Sequence, residues 1–294
     1  MKLKSAFTMI EIIFVILIMG ILGTFGVEFL FQAYSSFIFT KVNNNLQSDS
    51  TSALEFIASR LQYRIKDSVI ARDSNSFDSI RNLHINKEYT VLEWVATDID
   101  GYRATTSPNW SGIIDLNHPD ADKNTLISPK TDTNKINQLI NILSYKNSDV
   151  NDSALYFIGS HSDINAYGWD GVAITDQSKV MHPIQTINGS LNKFAPRVGD
   201  FSGVDVYEYF KLSWTANAIV IENYNVEDKT FDLEYYFDYQ PWNGEGFLDG
   251  KHFTIMQNLS SFRFTSLESI IKIQICAKTL VQKEYSLCKE KTVF

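Results

Sequence analysis

Cysteines, histidines and a run of oxygen-bearing residues are the side chains of this 294-residue sequence whose types and spacing could do chemistry. If Ile270–Ala277 and Glu284–Val293 form a hairpin turning near Gln282, Cys276 and Cys288 each lie six positions from the turn. They then face each other across the ladder, which permits a cross-strand disulfide; two buried thiols are the alternative. Two cysteines are too few for a disulfide framework or a tetrahedral structural zinc site. Asp115, Asn117, Asp120, Asp122 and Asn124 offer the hard oxygens that calcium takes, although Pro119 interrupts them and the spacing is not that of an EF-hand. A solvated acidic loop is the plainer reading, and apart from calcium no cofactor is expected. His84, His118, His161, His182 and His252 include no i,i+4 pair of the kind that holds zinc on a helix. Ser160-His161-Ser162-Asp163 contains the residue types of a hydrolase triad, but consecutive residues cannot converge on one substrate atom. Gly244 to Gly250 has its third glycine one place late for a dinucleotide loop and reads as a hairpin loop. Asn151 and Ser153 fit a glycosylation acceptor. No convergent constellation survives, so an enzyme is not expected.

The elements that must position these residues follow from composition. Hydrophobic residues make up 44%, aromatics 13% and charged residues 20%, enough apolar surface for a sizeable core and unlike a disordered chain. With 26 Lys and Arg against 34 Asp and Glu, the net charge of -8 argues against nucleic acid as the main partner. The last segment departs from this balance: Lys272, Lys278, Lys283, Lys289 and Lys291 stand against Glu284 and Glu290. Lysines that guard an edge strand explain it better than a local DNA contact.

The strongest asymmetry lies at the start. Ile12 to Val27 is uncharged, and with Phe7 to Ile10 it supplies the ~20 apolar residues of a bilayer span, about residues 7–27. Lys2 and Lys4 precede it and Glu28 is the first charge after it, so the N-terminus stays cytoplasmic and the bulk of the chain lies outside. The apolar stretch is too long, and lacks the small-residue site, for an ordinary secretory signal. A plain anchor gives no reason for Glu11, because a carboxylate inside a span costs roughly 2.5–3.5 kcal/mol and needs a partner.

Lys4-Ser5-Ala6 followed by Phe7-Thr8-Met9-Ile10-Glu11 and the apolar run resembles the processing site of type IV pilins and type II secretion pseudopilins. The resemblance implies that prepilin peptidase removes residues 1–6, cutting between Ala6 and Phe7, and that Phe7 is N-methylated. It also implies that Glu11 pairs with the N-terminal amine of a neighbouring subunit, with Phe7 and Thr8 beside it in the assembly segment. A carboxylate next to an ammonium recovers part of its desolvation cost and fixes register between subunits. Two departures from the family are Ala6, where glycine is usual, and Glu28, where major pilins carry a kinking proline.

Leu54, Ile57, Leu61, Ile65 and Val69 continue the helix as one apolar stripe with Arg60, Arg64 and Lys66 off it. The spacing predicts a helix over 7–72, and from 7 to about 70 alone it would be ~95 Å long, more than a compact head can cover. Asn43 to Ser52 is its expected weak point. Residues 73–294 form the head, where strands are predicted at Tyr89–Thr97, Ala154–Gly159, Gly171–Thr175, Tyr207–Trp214, Ala218–Tyr224, Thr230–Tyr239, Phe253–Gln257 and Ser261–Thr265 besides the cysteine pair. Ile136–Leu143 is a short helix within an irregular stretch from Gly101 to Asn151. The fold class is therefore α+β: a long N-terminal helix and a mostly antiparallel, strand-rich head.

By resemblance the expectation is a minor pilin or pseudopilin, similar to PilW-type minor pilins or the J-type pseudopilin, serving a pilus, DNA-uptake or type II secretion filament. Its partners would be prepilin peptidase, other pilins or pseudopilins and the inner membrane, with the head in the periplasm. The alternative is a membrane-anchored periplasmic module that captures DNA, a surface or a secreted substrate.

Overall fold

The computed structural model describes every residue except 1–7, 75, 85, 161–162 and 280–284, and describes Tyr285 by its backbone alone. Helix α1 runs from Met9 to Leu61, 53 residues and ~80 Å. Thr8, extended at φ -75° and ψ 149°, precedes it, and Glu11 reaches back to the Thr8 N–H, so helix entry is fixed within one turn. The polar stretch from Asn43 to Ser52 stays helical. Thr51 Oγ1 donates to the Gln47 carbonyl at 2.6 Å, so its hydroxyl turns back onto the helix instead of opening it.

Helix α1 stops at Leu61, short of the 72 expected from the stripe. Ile65 N–H donates to the Val95 carbonyl at 2.9 Å, and Arg64 bridges Ala96, so the sheet captures the chain where the helix would have continued. Ile65 and Val69 are buried as the stripe implied, but from extended chain and a 3-10 turn at Lys66–Ser68.

The head strands are β1 Ile70–Arg72, β2 Phe77–Ser79, β3 Val91–Ala96, β4 Leu126–Ile127, β5 Ala154–Phe157, β6 Met181–Thr186, β7 Lys193–Pro196, β8 Phe210–Ser213, β9 Thr215–Asn225, β10 Thr230–Tyr239, β11 Lys251–Leu267, β12 Ile270–Thr279 and β13 Tyr285–Val293. Two helices join them, α2 Ile99–Arg103 and α3 Thr133–Leu143. The strands make an eight-stranded sheet in the order β13-β12-β11-β10-β9-β3-β1-β2 and a five-stranded sheet in the order β4-β7-β6-β5-β8. Every pairing is antiparallel, so the chain is α+β, a long apolar N-terminal helix followed by a strand-rich head.

Both faces of the large sheet are covered. Leu92, Trp94, Ile219 and Leu233 point to the side where Leu54, Ile57 and Leu61 of α1 pack. Val91, Val95, Ala218 and Val220 point to the other, beneath Tyr167, Trp169 and Trp242. The period of two along a strand sorts these residues between the faces.

Three strand expectations change. Gly171–Thr175 is a loop: Gly168 and Gly171 adopt φ +89° and +74°, and a Cβ at Gly168 would sit 2.3 Å from the Pro241 carbonyl oxygen. Phe253–Gln257 and Ser261–Thr265 are one strand, β11, whose register shifts between Leu259 and Ser261. Strands β1, β2, β4, β6 and β7 are not among the predicted ones; in β6 the Pro183 carbonyl accepts from Arg197 N–H at 2.9 Å.

His182 of β6 is 3% exposed, against Phe157 and Phe201, with Nδ1 3.2 Å from Gln177 Oε1. Burial pushes its pKa down to about 4 from the ordinary 6.5. A histidine whose folded pKa is depressed favours the folded state above its unfolded pKa, and that contribution is lost as pH falls from about 6.5 towards about 4. Asp98, pushed up to about 6 by burial, acts oppositely, since its stabilising effect is lost as pH rises through that value. The difference between wild type and His182→Asn therefore isolates the histidine. In urea titrations from pH 7 to 4, wild type should lose stability relative to this variant on acidification.

Candidate functional site

The site is the N-terminal half of α1 together with the clamp that holds its other end. The helix is long and apolar enough to cross a membrane, and none of its most apolar window is buried. Its large apolar side chains from Met9 through Phe39 are exposed except for the half-buried Ile38, and the first helical residue buried in the head is Ser50. Thirty-one residues from Met9 to Phe39 at 1.5 Å each span ~46 Å, longer than a ~30 Å hydrocarbon layer. The surplus beyond Glu28 carries Phe29, Phe31, Tyr34, Phe37 and Phe39.

Ala6 and Phe7, the expected cleavage and methylation positions, lie outside the described residues. Thr8 and Glu11 are brought together. Glu11 Oε2 accepts from the Thr8 N–H at 2.8 Å and from the Thr8 hydroxyl at 2.8 Å. The carboxylate thus has a local role that the motif alone does not reveal: it satisfies an N–H that the first helical turn leaves without an intrahelical partner.

At the other end, Cys276 and Cys288 are direct partners in the β12–β13 register and are joined by a disulfide. Strand β13 lies along α1. Lys289 Nζ donates to the Gln47 carbonyl at 3.2 Å and to Thr51 Oγ1 at 2.5 Å, and Lys291 pairs with Glu55. Lys272 pairs with Glu290 at 2.9 Å, and Lys278 donates to the Asp228 carbonyl at 3.0 Å. Lys283 lies outside the described residues. Strand β13 is an edge of the large sheet, and the local positive charge ties that edge to the helix and to neighbouring strands.

No protein-family model matches this chain, and no curated protein and no solved structure is significantly similar to it. Its assignment rests on its own residues.

The oxygen-rich loop does not converge. Asp115 Oδ1 accepts from Asn117 N–H at 3.1 Å, Asp122 Oδ1 from Asn124 N–H at 2.8 Å, and Asp120 pairs with Lys193 at 2.9 Å. Each carboxylate serves its own turn or a lysine, and among the described residues no group of three or more His, Cys, Asp or Glu is arranged to hold a metal. Asn151 Oδ1 accepts from both Thr186 N–H and Oγ1, and Ser153 is buried, so this acceptor pattern is built into the fold. His161 and Ser162 lie outside the described residues, and Asp163 Oδ1 accepts from Asn165 N–H. Residues from Gln240 to Gly250 join β10 to β11 through two short 3-10 turns, Pro241–Asn243 and Phe247–Asp249, so Gly244 to Gly250 lies in a hairpin connection as expected.

The sequence reading missed Arg64. Read only as lying off the apolar stripe, it is 2% exposed. Nη1 donates to the Leu61 carbonyl at 2.6 Å, at the negative end of α1, and Nη2 donates to the Ser269 carbonyl between β11 and β12. Burial lowers its pKa. Its position three residues after the last helical residue was the available signal, since a basic side chain there can reach the last carbonyls. A second missed group is Glu93, buried in β3 and held by Arg72 at 2.6 Å and by the Tyr239 hydroxyl at 3.2 Å. Burial raises the Glu93 pKa against the pull of Arg72.

Proposed function

We propose that this chain is a minor pilin or pseudopilin: a non-enzymatic structural subunit, processed between Ala6 and Phe7, anchored by α1 and assembled with other pilins through that helix. The observation that carries the reading is Glu11, a carboxylate at the third helical position of an apolar, uncovered segment directly after Phe7-Thr8. A large head of low copy number fits the end of a filament better than its repeating shaft. The reading places the head outside the cytoplasmic membrane, where an oxidising environment would maintain the Cys276–Cys288 bond.

Glu11→Gln tests the pairing specifically. Glutamine at this position can still accept from the Thr8 N–H, so the helix start survives, whereas the charge that would engage a neighbour's ammonium is lost. Expected is wild-type helix content by circular dichroism, a normally folded head and strongly reduced recovery in sheared or pulled-down filaments. Glu11→Leu should lose both the cap and assembly. Recovery of Glu11→Gln at the wild-type level would rule out the charge pairing.

A further inference from the structure

The two ends of the eight-stranded sheet are finished differently. Strand β13 is tied along α1, whereas β2, at the opposite end, pairs with β1 and with no second strand among the described residues. Ile80 N–H donates to the Val69 carbonyl at 3.1 Å and Asp73 N–H to the Ser76 carbonyl at 3.0 Å, so residues 76, 78 and 80 turn their backbone towards β1. By the alternation of an antiparallel ladder, Phe77 and Ser79 turn theirs away from it. Their N–H groups and the Phe77 carbonyl form an edge that another strand can pair with.

That edge opens onto a cleft of about 1130 Å³, which Phe77, Asp78 and Ser79 line on one side and Ile164, Trp169 and Phe247 on others. Its apolar lining is held in place. Arg72 stacks on Phe77 at 5.3 Å and donates to Glu93 at 2.6 Å and to the Trp169 carbonyl at 3.1 Å, while Phe247 meets Tyr236 edge-on at 5.3 Å. The charge is one-sided: among the described residues, five carboxylates line the cleft against one guanidinium, Arg72. Glu93 is paired with Arg72, and Asp78 with Lys87 at 2.7 Å. Asp170, Glu245 and Asp249 have no ion-pair partner among the described residues; each accepts from a backbone N–H, of Val172 at 3.2 Å, Gln240 at 2.8 Å and Gly246 at 2.8 Å. Water solvates these carboxylates in the free protein, but their summed field still selects and orients a cationic partner.

A pairing edge is met by another backbone, and an acidic cleft with aromatic walls by cationic and apolar side chains. We propose that this cleft docks an extended, lysine- or arginine-bearing segment of a partner protein, which adds to β2 as a further strand. Its main chain pairs with Phe77 and Ser79, its cations face Asp170, Glu245 and Asp249, and its apolar side chains rest on Phe77 and Phe247. In strand addition the main-chain bonds supply affinity and alternate side chains supply selectivity. The inference does not rest on the filament reading.

The test is calorimetric titration of the full chain in phosphatidylcholine nanodiscs, whose zwitterionic surface does not attract a basic probe, with empty nanodiscs as the control. The probes are a blocked hexapeptide of alternating lysine and valine and the same peptide with glutamate in place of lysine. The lysine peptide should bind and the glutamate peptide should not. Ser79 adopts φ -59°, which proline shares, so Ser79→Pro removes an edge N–H without backbone strain and should weaken the lysine peptide about tenfold. Asp170→Asn and Asp249→Asn, at exposed positions where asparagine keeps the acceptor for its turn, should each weaken it about threefold. Near-UV circular dichroism checks the fold of each variant. Absence of binding up to millimolar concentration, equal binding of the glutamate peptide, or wild-type affinity in Ser79→Pro or in both asparagine variants would each overturn the assignment.

Discussion

Replacing Ile57 by aspartate should detach α1 from the head, the largest effect expected of any single substitution in the described residues. Ile57 is 0% exposed and packs in the cluster that holds Leu54, Leu61, Trp94, Ile219 and Leu233. Truncation to alanine at such a site costs about 2–5 kcal/mol, from lost burial and the cavity left behind. Aspartate adds the burial of a charge with no counter-ion, which exceeds that range. Trp94, fully buried beneath the helix, reports the change: its fluorescence should shift to the red and the urea midpoint should fall sharply, while Ser52→Ala on the exposed face stays within about 0.5 kcal/mol of wild type. An Ile57→Asp protein with wild-type fluorescence and midpoint would mean that the helix does not pack on the sheet as described.

Loss of the Cys276–Cys288 bond should have the second-largest effect. The bond closes a loop of 12-residue separation, for which the chain-entropy account gives about 3 kcal/mol. The consequence is local as well as global, because β13 is an edge strand whose remaining ties are its ladder to β12 and its contacts with α1. Cys276→Ala/Cys288→Ala should lower the urea midpoint and expose β13 to limited proteolysis, and a reducing agent should do the same to wild type. An unchanged midpoint and digest in both cases would show that the bond does not hold the strand.

Local signals in the sequence identified the elements that local chemistry decides. The β9–β10 hairpin closes where Asn225 meets Thr230, and Asn225 Oδ1 accepts from Glu227 and Asp228 N–H groups within its own turn. The direct pairing of Cys276 with Cys288 followed from counting positions about one turn. The end of α1 did not, because nothing near Leu61 breaks a helix; the break comes from the Val95 carbonyl of β3, distant in sequence, taking the Ile65 N–H. Arg64 was misplaced for the same reason, since its partner Ser269 belongs to the far hairpin. In the candidate site, Thr8 and Glu11 were legible from spacing, but their mutual hydrogen bonds were not. The loop around Asp115 and Asp122 left a calcium site open beside the plainer reading of a solvated loop, because residue types do not disclose that Asp115 and Asp122 each turn onto their own backbone.

The most direct measurement is the N-terminal peptide of the membrane-extracted protein, read by mass spectrometry from cells with and without prepilin peptidase. The account predicts a peptide that begins at N-methylated Phe7 and disappears when the peptidase is absent. Retention of residues 1–6 in both strains would contradict it and leave α1 as a plain membrane anchor for the head.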